Sequence, residues 1–331
     1  MLRRRSITTC PGKRALDAAM PPRKRKRSIE TRDDDDCLRR MDLESAALMR
    51  RVPRIELGRF VIDTWYPSPY PASAYPDGTL YLCERCLGYT SSKRFLQHHK
   101  RTECALRKPP GPRVYYEKVD RLALYDVDGK LETTYAQNLC LLAKLFMDQK
   151  TLYYDVTRFR FYVLCRVDDD GSHIVGYFSK EKMSPEGYNL SCIVVLPPYQ
   201  RHGYGSLLIS ISYAISAHDG QLGTPERPLS ALGQAAYVEY WKHCVLRELA
   251  ATSGVVSIAY LTDRTSILPQ DIAVALLACG LLKTASPEIP ATQTIRASKA
   301  RVRAALESVR PLRLCQPRAF AWRALRPSTT P

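Results

Sequence analysis

The sequence predicts an α+β protein in which a strand-rich stretch is followed by helices. Residues 113–182 contain several strand-like segments in succession, with one helical segment among them. An apolar strand then leads through two glycines into a helix at 192–216, and a Cys/His cluster precedes the strands at 82–104. Successive strands with a helix docked after the last favour an α+β sheet over repeated βαβ units. A chain of 331 residues can form one large domain or two smaller ones.

The cluster of cysteines and histidines predicts a structural zinc site. Cys83 and Cys86 form a C-x2-C pair, and His99 and Cys104 follow on a predicted helix. Two thiolates on a tight turn, then an imidazole and a thiolate, can complete a tetrahedral Zn²⁺ site made only of protein ligands. His98 is a competing ligand, but the C-x12-H spacing favours His99. The alternative is that these four residues bind no metal and share this spacing by chance. A zinc finger that reads DNA would usually occur in repeats, and this sequence contains one such cluster.

The segment after the cluster is predicted to form the sheet. Residues 115–129 alternate as one strand that ends at an Asp-Gly turn, and Thr134–Asp148 has the pattern of an amphipathic helix. Residues 159–181 contain two apolar strands around Asp-Asp-Asp-Gly, which predicts a hairpin. Residues 188–196 are predicted to add a further strand.

A glycine-containing turn, QRHGYG, joins this last strand to the next helix. Gly203 and Gly205 stand where the strand pattern changes to a helical one. Backbone N–H groups at a helix start, with no side chain in the way, bind anions such as phosphate. Neither the P-loop nor the dinucleotide-binding fingerprint fits the spacing. From these residues alone, an ordinary strand-to-helix turn remains the alternative.

The following stretch is predicted to be mainly helical. Leu229–Ala250 has the pattern of a long amphipathic helix, and residues 255–283 predict a strand and then a helix beginning at Pro269. Asp271 falls in the first turn, where a carboxylate is favourable. This pattern resembles the helix-turn-helix of DNA-binding proteins. We interpret it as structural support, because this part of the chain carries little net charge.

Basic residues are concentrated at the two ends of the chain. Residues 1–30 contain ten Lys or Arg against two acids, and 284–331 contain nine against two, which leaves +2 of the total +17 for 31–283. We therefore predict basic tails at 1–50 and 284–331. Such tails suit nuclear import, for which PRKRKR in the first tail is a candidate signal, or weak contact with DNA. The second tail contains four large apolar residues: Leu312, Leu314, Phe320 and Trp322. Whether these residues fold on a partner is left open by the sequence.

The lengths of the apolar runs and the number of cysteines indicate the cellular compartment of the protein. The longest apolar run, 272–282, is shorter than the ~18–20 residues that span a bilayer. The Arg-rich first residues lack the apolar core of a secretory signal. Eleven cysteines, an odd number, favour a reducing compartment over a disulfide framework. We expect a nuclear protein with no membrane contact.

Taken together, several motifs resemble the MYST family of lysine acetyltransferases. They are WYPSPYP, NLCLLAKLF, GYFSKEK and LPPYQRHGYGSLLI, and they follow one another around the Cys/His cluster and the glycine turn. The resemblance implies an acetyltransferase domain at 51–283. It would comprise a C2HC zinc finger at 83–104, an N-acetyltransferase-like (GNAT-type) acetyl-CoA-binding core at 113–235, and a helical region at 236–283.

The resemblance also implies a set of cofactor contacts. The glycine turn would hold the pyrophosphate of acetyl-CoA with backbone N–H groups and the start of the following helix. The residues that match the family's contacts are Ile193, Val195, Arg201, His202, Gly203, Tyr204, Gly205, Ser206, Leu207, Ser230, Gly233 and Lys283. His202 stands where many relatives carry arginine, and its charge at neutral pH is weaker.

Acetyl transfer to lysine needs a general base, because the amine is protonated at neutral pH. Glu226 matches the family's catalytic glutamate, although from the residues alone it reads as a surface residue between Pro225 and Pro228. Cys192 matches the active-site cysteine. It could accept the acetyl group, line the pocket during direct attack by the amine, or be one more buried cysteine. We favour direct attack with Glu226 as the base.

The implied function is acetylation of histone tails, with histone H4 as the expected substrate, in nucleosomes and with accessory subunits of a chromatin complex. The alternative is a zinc-finger and helix-turn-helix protein that binds chromatin or DNA and keeps the fold without turnover. The glycine turn together with Glu226 favours the enzyme.

The sequence departs from the family at one regulatory position. Relatives usually carry a lysine, acetylated on the enzyme itself, between the SPYP stretch and the finger. No lysine occurs between Trp65 and Cys83, and the aligned position is Pro76. We therefore expect self-acetylation at that position to be absent.

Overall fold

The described part of the protein forms a small sheet region that carries the Cys/His cluster, a central sheet and a helical region. A computed structural model describes residues 51–148, 154–282, 293–296 and 298–325. The predicted tail 1–50 and the predicted cofactor contact Lys283 lie outside the described residues. Within the described ranges, every helix is too short or too polar to cross a bilayer.

A four-stranded sheet and one helix form the region around the Cys/His cluster. Its elements are β1 (Arg54–Leu57), β2 (Phe60–Asp63), β3 (Thr79–Leu82), β4 (Tyr89–Thr90) and α1 (Lys93–Thr102). The strand order is β2-β1-β3-β4, in which β1 and β3 are parallel. Helix α1 begins after Ser92, whose Oγ accepts a hydrogen bond from the Phe95 N–H at 3.3 Å.

A five-stranded antiparallel sheet forms the centre of the molecule. Its strands, in spatial as well as chain order, are β5 (Arg113–Glu117), β6 (Leu122–Asp128), β7 (Phe159–Asp168), β8 (Gly171–Glu181) and β9 (Cys192–Val195). The predicted hairpin is confirmed as β7 and β8. The single strand predicted at 115–129 is wrong, because a turn at 118–121 divides it into β5 and β6. Val119 in that turn is 89% exposed, and Arg121 adopts a positive φ of 51°.

Two helices pack on this sheet. Helix α2 (Thr133–Lys144) ends four residues before the predicted end. The Lys144 ammonium donates to the carbonyls of Met147 (3.3 Å) and Asp148 (2.8 Å), which have left the helix. Helix α3 (Tyr204–His218) follows the glycine turn as predicted, and most of its residues are buried. The N-acetyltransferase-like arrangement of these elements stays a prediction.

The C-terminal region is a helical layer with its own apolar core. Its elements are α4 (Ala231–Ala251), β10 (Val256–Ser257), α5 (Ile258–Thr265), α6 (Pro269–Ala278), β11 (Thr294–Ile295) and α7 (Lys299–Ser308). The strand predicted from residue 255 covers only two residues, because Ser257 caps α5 by accepting from the Tyr260 N–H at 3.1 Å. Ile209 and Tyr213 of α3 pack into this core, so α3 joins it to the sheet.

The predicted basic tail 284–331 needs correction, because much of it is folded. After α7, residues 309–325 return to the central sheet. The Phe320 ring lies edge-on to Tyr115 with a centroid distance of 4.9 Å. Trp322 stacks on His218 at 4.4 Å. The globular part therefore extends to residue 325, and these apolar residues fold within the chain rather than on a partner.

Candidate functional site

One cleft brings together most of the predicted cofactor and catalytic residues. It has a volume of about 980 Å³ and lies between β9, the glycine turn and the start of α4. The predicted site residues that line it are Cys192, Ile193, Val195, Arg201, Gly203, Tyr204, Gly205, Glu226, Ser230 and Gly233. His202, Ser206 and Leu207 are not among its lining residues. The cleft is also lined by Trp65, Phe146, Asp148 and Asp155.

The backbone conformation of the glycine turn is set by its prolines, by Gln200 and by Gly203. Pro197–Tyr199 form a short 3₁₀ turn, and the side-chain Nε2 of Gln200 donates back to the Val195 carbonyl at 2.9 Å. Gly203 takes φ +79°, in the left-handed region that favours glycine. A Cβ there would also lie 2.9 Å from the Cβ of Arg313, so the position has no space for a side chain.

The start of α3 exposes backbone donors to the cleft. The first N–H groups of a helix have no partner within it, and Gly203, Tyr204 and Gly205 all line the cleft. A Cβ at Gly205 would meet nothing within 4 Å, and the first turn contains no acid. The Leu207 N–H donates to the Gly203 carbonyl at 3.1 Å, where the helix bonding begins. This helix end can therefore hold an anion.

Three of the predicted contacts have side chains that turn away from the cleft or into the turn. The Leu207 side chain is fully buried in the apolar core. The Ser206 hydroxyl donates to the Gly203 carbonyl at 2.9 Å. The His202 Nδ1 lies 2.7 Å from the Gln200 carbonyl and donates to it. The histidine side chain therefore braces the turn, and any contribution of Ser206 and Leu207 to anion binding comes from the backbone.

Glu226 and Cys192 lie on paired segments beside the turn. Pro225 forms a parallel bridge with Leu190, and the Glu226 N–H donates to the Leu190 carbonyl at 2.8 Å. Two residues after Leu190, the Cys192 N–H donates to Ser179 Oγ at 3.2 Å. The Glu226 side chain is exposed in the cleft and forms no hydrogen bond or ion pair with the residues that the structure describes.

A buried carboxylate from the helical region holds the Glu226 loop, and the sequence analysis missed this role. Asp271 is 1% exposed. It accepts from Thr224 Oγ1 at 2.8 Å and from the Arg227 guanidinium at 2.5 Å. Burial raises the pKa of Asp271, although the hydrogen bond from Thr224 and the charge of Arg227 oppose the rise. From the sequence, Asp271 was predicted only to lie in the first turn of a helix. Its contact with Arg227 spans 44 residues, and no local pattern predicts a contact over that separation.

The carboxyl group of Glu181 interacts electrostatically with Glu226. Burial raises the pKa of Glu181, with Arg158 opposing the rise and the negative charge of Glu226 adding to it. Asp148 and Asp155 also line the cleft. The carboxyl groups on this part of the cleft suit a cationic substrate better than an anionic one.

The four predicted metal ligands come together from the turn after β3, from α1 and from the residues just after α1. Their ligand atoms all lie within 4.8 Å of one another. Cys86 Sγ is 3.2 Å from His99 Nε2, and Cys83 Sγ is 3.8 Å from Cys104 Sγ. Three thiolates and one imidazole are a ligand set of structural Zn²⁺, with no open position for catalysis. The residues present therefore fit the ion.

The surroundings of the cluster distinguish the two neighbouring histidines. His99 Nδ1 lies 3.4 Å from the Glu103 carboxylate, so its other ring nitrogen is directed at the cysteines. The His98 side chain is 66% exposed and lies 3.9 Å from the same carboxylate. The geometry thus favours His99 as the ligand, as the spacing predicted.

Comparison with known proteins gives two family matches and several relatives. The MOZ/SAS family matches residues 108–314, and the MYST family zinc finger domain matches residues 49–104. "Histone acetyltransferase of the MYST family 1" of Arabidopsis thaliana is 47% identical over 255 residues, which is 77% of this chain and 57% of the relative. "Putative MYST-like histone acetyltransferase 1" of Oryza sativa subsp. japonica is 49% identical over 240 residues, or 72% of this chain and 53% of the relative.

A fungal relative gives a similar result. "Histone acetyltransferase esa1" of Emericella nidulans is 46% identical over 237 residues, which is 71% of this chain and 46% of the relative. The chain thus spans about half the length of these relatives.

Proposed function

The chain belongs to the MYST (MOZ/SAS) family, and from that premise we propose that it is a histone lysine acetyltransferase that uses acetyl-CoA as acetyl donor. We propose histone tails, with histone H4 by analogy, as the substrate, and the nucleus as the site of action. The names of the relatives support the reaction class. The chain's own cleft supplies the chemical argument.

One observation carries this proposal: a single cleft contains both an anion-binding helix start and an exposed carboxylate. The N–H groups around Gly203, Tyr204 and Gly205 suit the pyrophosphate of acetyl-CoA. Ile193 and Val195 would contact the acetyl and pantetheine part, and the other predicted contacts would complete the site. Glu226 lies in the same cleft, as a general base for the acceptor amine must.

The proposed reaction assigns one proton transfer to Glu226. Its carboxylate takes a proton from the ammonium group of the substrate lysine, and the neutral amine attacks the thioester carbonyl. A C–N bond forms, the C–S bond breaks, and the thiolate of coenzyme A leaves and takes up the second proton, which the nitrogen loses as it becomes an amide. Glu226 later releases the first proton to solvent. Because the Glu226 carboxylate has no partner among the described residues, its lone pairs are available for this proton.

Cys192 is proposed to line the acetyl site while the amine attacks directly. The cysteine begins β9 and is partly buried, beside Ser179. In the competing route its thiolate would take the acetyl group first and pass it to lysine. A Cys192→Ser variant that keeps most of its kcat would support direct attack. Accumulation of an acetylated Cys192 in the native protein, captured by rapid acid quench and mass spectrometry, would support the covalent route.

The remaining regions are proposed to support and target the core. The core would have the N-acetyltransferase-like (GNAT-type) fold, and the zinc site would stabilise the finger. Helices α5 and α6, the helix-turn-helix-like pair, would act mainly as structural support. We further propose accessory subunits of a chromatin complex and weak contact of basic segments with nucleosomal DNA. With Pro76 at the family's self-acetylated position, control through that position would be absent.

The test is acetyl transfer from labelled acetyl-CoA to histone octamers. Glu226→Gln should lower kcat by roughly 10²–10⁴-fold near neutral pH, and activity should partly return at raised pH as more lysine becomes neutral. Mass spectrometry locates the acetylated lysines. Glu186→Gln is the matched control, because Glu186 is exposed on the loop before β9 and does not line the cleft.

The outcomes separate the alternatives. Transfer that depends on Glu226 but not on Glu186 supports the proposal. Binding of acetyl-CoA without transfer to octamers would argue for another substrate or a required subunit. Native protein that binds no acetyl-CoA would contradict the proposal and favour a chromatin-binding protein without turnover.

A further inference from the structure

The loop that carries Glu226 is anchored from outside the cleft by one buried side chain. Asp271, in the first turn of α6, accepts hydrogen bonds from Thr224 and Arg227, which stand on either side of Glu226. The Thr224 carbonyl also accepts from the Asn189 N–H at 2.9 Å, and the Glu226 N–H bonds to Leu190. The loop is thus held by backbone bonds on one side and by Asp271 on the other.

We propose that Asp271 is a positioning residue for acetyl transfer: it fixes the loop that presents Glu226 and keeps the Arg227 guanidinium away from the Glu226 carboxylate. The inference rests on the proposed function, in which Glu226 is the base. It assigns to the helical region a part in the reaction beyond structural support.

The helix that carries Asp271 is a rigid support. Ile272, Ala275 and Leu276 of α6 are fully buried in the core of the helical region. Asp271 therefore cannot follow a moving loop, and its two hydrogen bonds transmit the position of that core to Thr224 and Arg227. A displacement of about 1 Å at a catalytic group can lower a rate by about 100-fold, so such an anchor has a measurable effect on turnover.

The charge on Asp271 is itself unfavourable for folding. Removing a carboxylate from water is costly, and the raised pKa of Asp271 shows that its partners only partly offset this cost. An asparagine could also accept from Thr224 and would avoid the buried charge. An aspartate is required, however, if the task is to hold a guanidinium, because charge-assisted hydrogen bonds are the stronger ones.

Arg227 needs this partner because it lies next to the base. Its side chain is half exposed and lines the same cleft as Glu226. In the native protein, the Arg227 guanidinium donates to the Asp271 carboxylate at 2.5 Å and lies 6.0 Å from the Trp241 ring centroid. Without Asp271, the neighbouring Glu226 carboxylate would be a near acceptor, and an ion pair there would occupy the lone pairs that must take the lysine proton.

The test compares Asp271→Asn, Arg227→Ala and the double variant in the full chain. Asp271→Asn should lower kcat by roughly 10- to 100-fold and leave the KM for acetyl-CoA within about twofold, because the glycine turn is untouched. The thermal midpoint should not fall, since the substitution removes a buried charge. The double variant should regain part of the lost kcat, because the released guanidinium is gone.

Two further comparisons separate positioning from folding. Asp126→Asn breaks another buried Asp–Arg pair, Asp126–Arg160 at 2.5 Å, which lies in the central sheet and makes no contact with Thr224 or Arg227. It should lower the thermal midpoint, because Arg160 is buried and would lose its Asp126 partner, whereas Arg227 is half exposed and reaches water when Asp271 is replaced. The kcat of folded protein should stay nearly unchanged. Thr224→Val should lower kcat while Thr224→Ser keeps it, and this pair serves if Asp271→Asn does not fold.

Hydrogen exchange gives a readout that does not need activity. The Glu226 amide, whose N–H donates to the Leu190 carbonyl, should exchange faster in Asp271→Asn than in native protein or Asp126→Asn, because the anchor is lost. Unchanged exchange, or a kcat that follows the folded fraction alone, would overturn the anchoring role. A double variant no better than Asp271→Asn would overturn the role toward Arg227. If native protein binds no acetyl-CoA and transfers no acetyl group, the proposed function fails, while the exchange result still decides the anchor.

Discussion

The guanidinium of Arg313 lies over the Tyr204 ring, with its central carbon 5.2 Å from the ring centroid. Tyr204 begins α3 at the cleft, and Arg313 belongs to the returning C-terminal segment. Arg313 also forms ion pairs with Glu117, at 3.4 Å, and with Asp120. The C-terminal segment therefore ties the first strand of the central sheet to the helix start that lines the cleft.

This contact makes Gly203 sensitive to substitution. Gly203→Ala should lower the free energy of unfolding by about 1–2 kcal/mol, because alanine is strained at positive φ, and its Cβ would press on Arg313. Acetyl-CoA affinity should fall with it. Gly205→Ala is the comparison, because its Cβ meets nothing in the chain. It should unfold like native protein in urea, and any change in its acetyl-CoA affinity would come from the ligand. Equal stability of the two variants would contradict this account.

The C-terminal segment should contribute to global stability. Phe320 is buried against Tyr115 and Trp322, with centroid distances of 4.9 Å and 4.1 Å. Phe320→Ala should reduce the free energy of unfolding by about 3 kcal/mol, as expected for loss of a buried phenylalanine. Urea titration followed by circular dichroism measures the change. Arg318→Ala, at an exposed position of the same turn, should stay within about 0.5 kcal/mol of native protein. A native-like Phe320→Ala would show that the segment docks weakly.

Local patterns predicted much of this architecture, and their failures have identifiable causes. The hairpin β7–β8, the glycine turn and α3 follow from alternation, turn residues and helical spacing. The division of β5 from β6 was missed because the turn at 118–121 contains neither glycine nor proline to mark it. Helix α5 was missed because the β-branched residues Val255, Val256 and Ile258 favour a strand, and only the cap at Ser257 shows that a helix starts there.

Long-range contacts explain what the sequence could not predict about the site. The Cys/His spacing and the glycine turn are local, so their residues could be named in advance. The contact between Arg227 and Asp271 spans 44 residues, and that between Arg313 and Glu117 spans 196. Residues 284–331 were predicted to be a tail because they carry many basic residues. Net charge does not show that apolar residues in this segment cover a face of the central sheet.

The zinc site should distinguish the two adjacent histidines. His99→Ala should lose bound zinc and lower the thermal midpoint, because the ligand set supplies folding free energy to a small sheet. His98→Ala should keep one zinc per chain, since its side chain is exposed. Metal content by plasma mass spectrometry and thermal melts check both. Zinc loss in His98→Ala but not in His99→Ala would reverse the assignment.

A pH-dependent contribution to stability should come from His173, which bridges two carboxylates. Its Nδ1 lies 2.9 Å from Glu84 and its Nε2 lies 2.8 Å from Asp168. Partial burial acts to lower the pKa of His173, but the hydrogen bonds to Glu84 and Asp168 outweigh it, so the pKa is raised above 6.5. The bridge joins the end of β3 to the β7–β8 hairpin, so it contributes to docking of the two sheets.

The direction of the pH effect follows from the raised pKa. The folded protein binds the proton more tightly than the unfolded chain, whose histidine titrates near pH 6.5. The stabilisation is therefore complete below about pH 6.5 and is lost as pH rises through the higher pKa of the folded state. The unfolding free energies of native protein and His173→Gln should differ by about 0.2–1 kcal/mol at pH 6, as for partly exposed ion pairs, and converge by pH 9. Urea titrations at both pH values measure this, with His98→Gln as control. A difference that grows toward pH 9 would show that the neutral imidazole is the stabilising form.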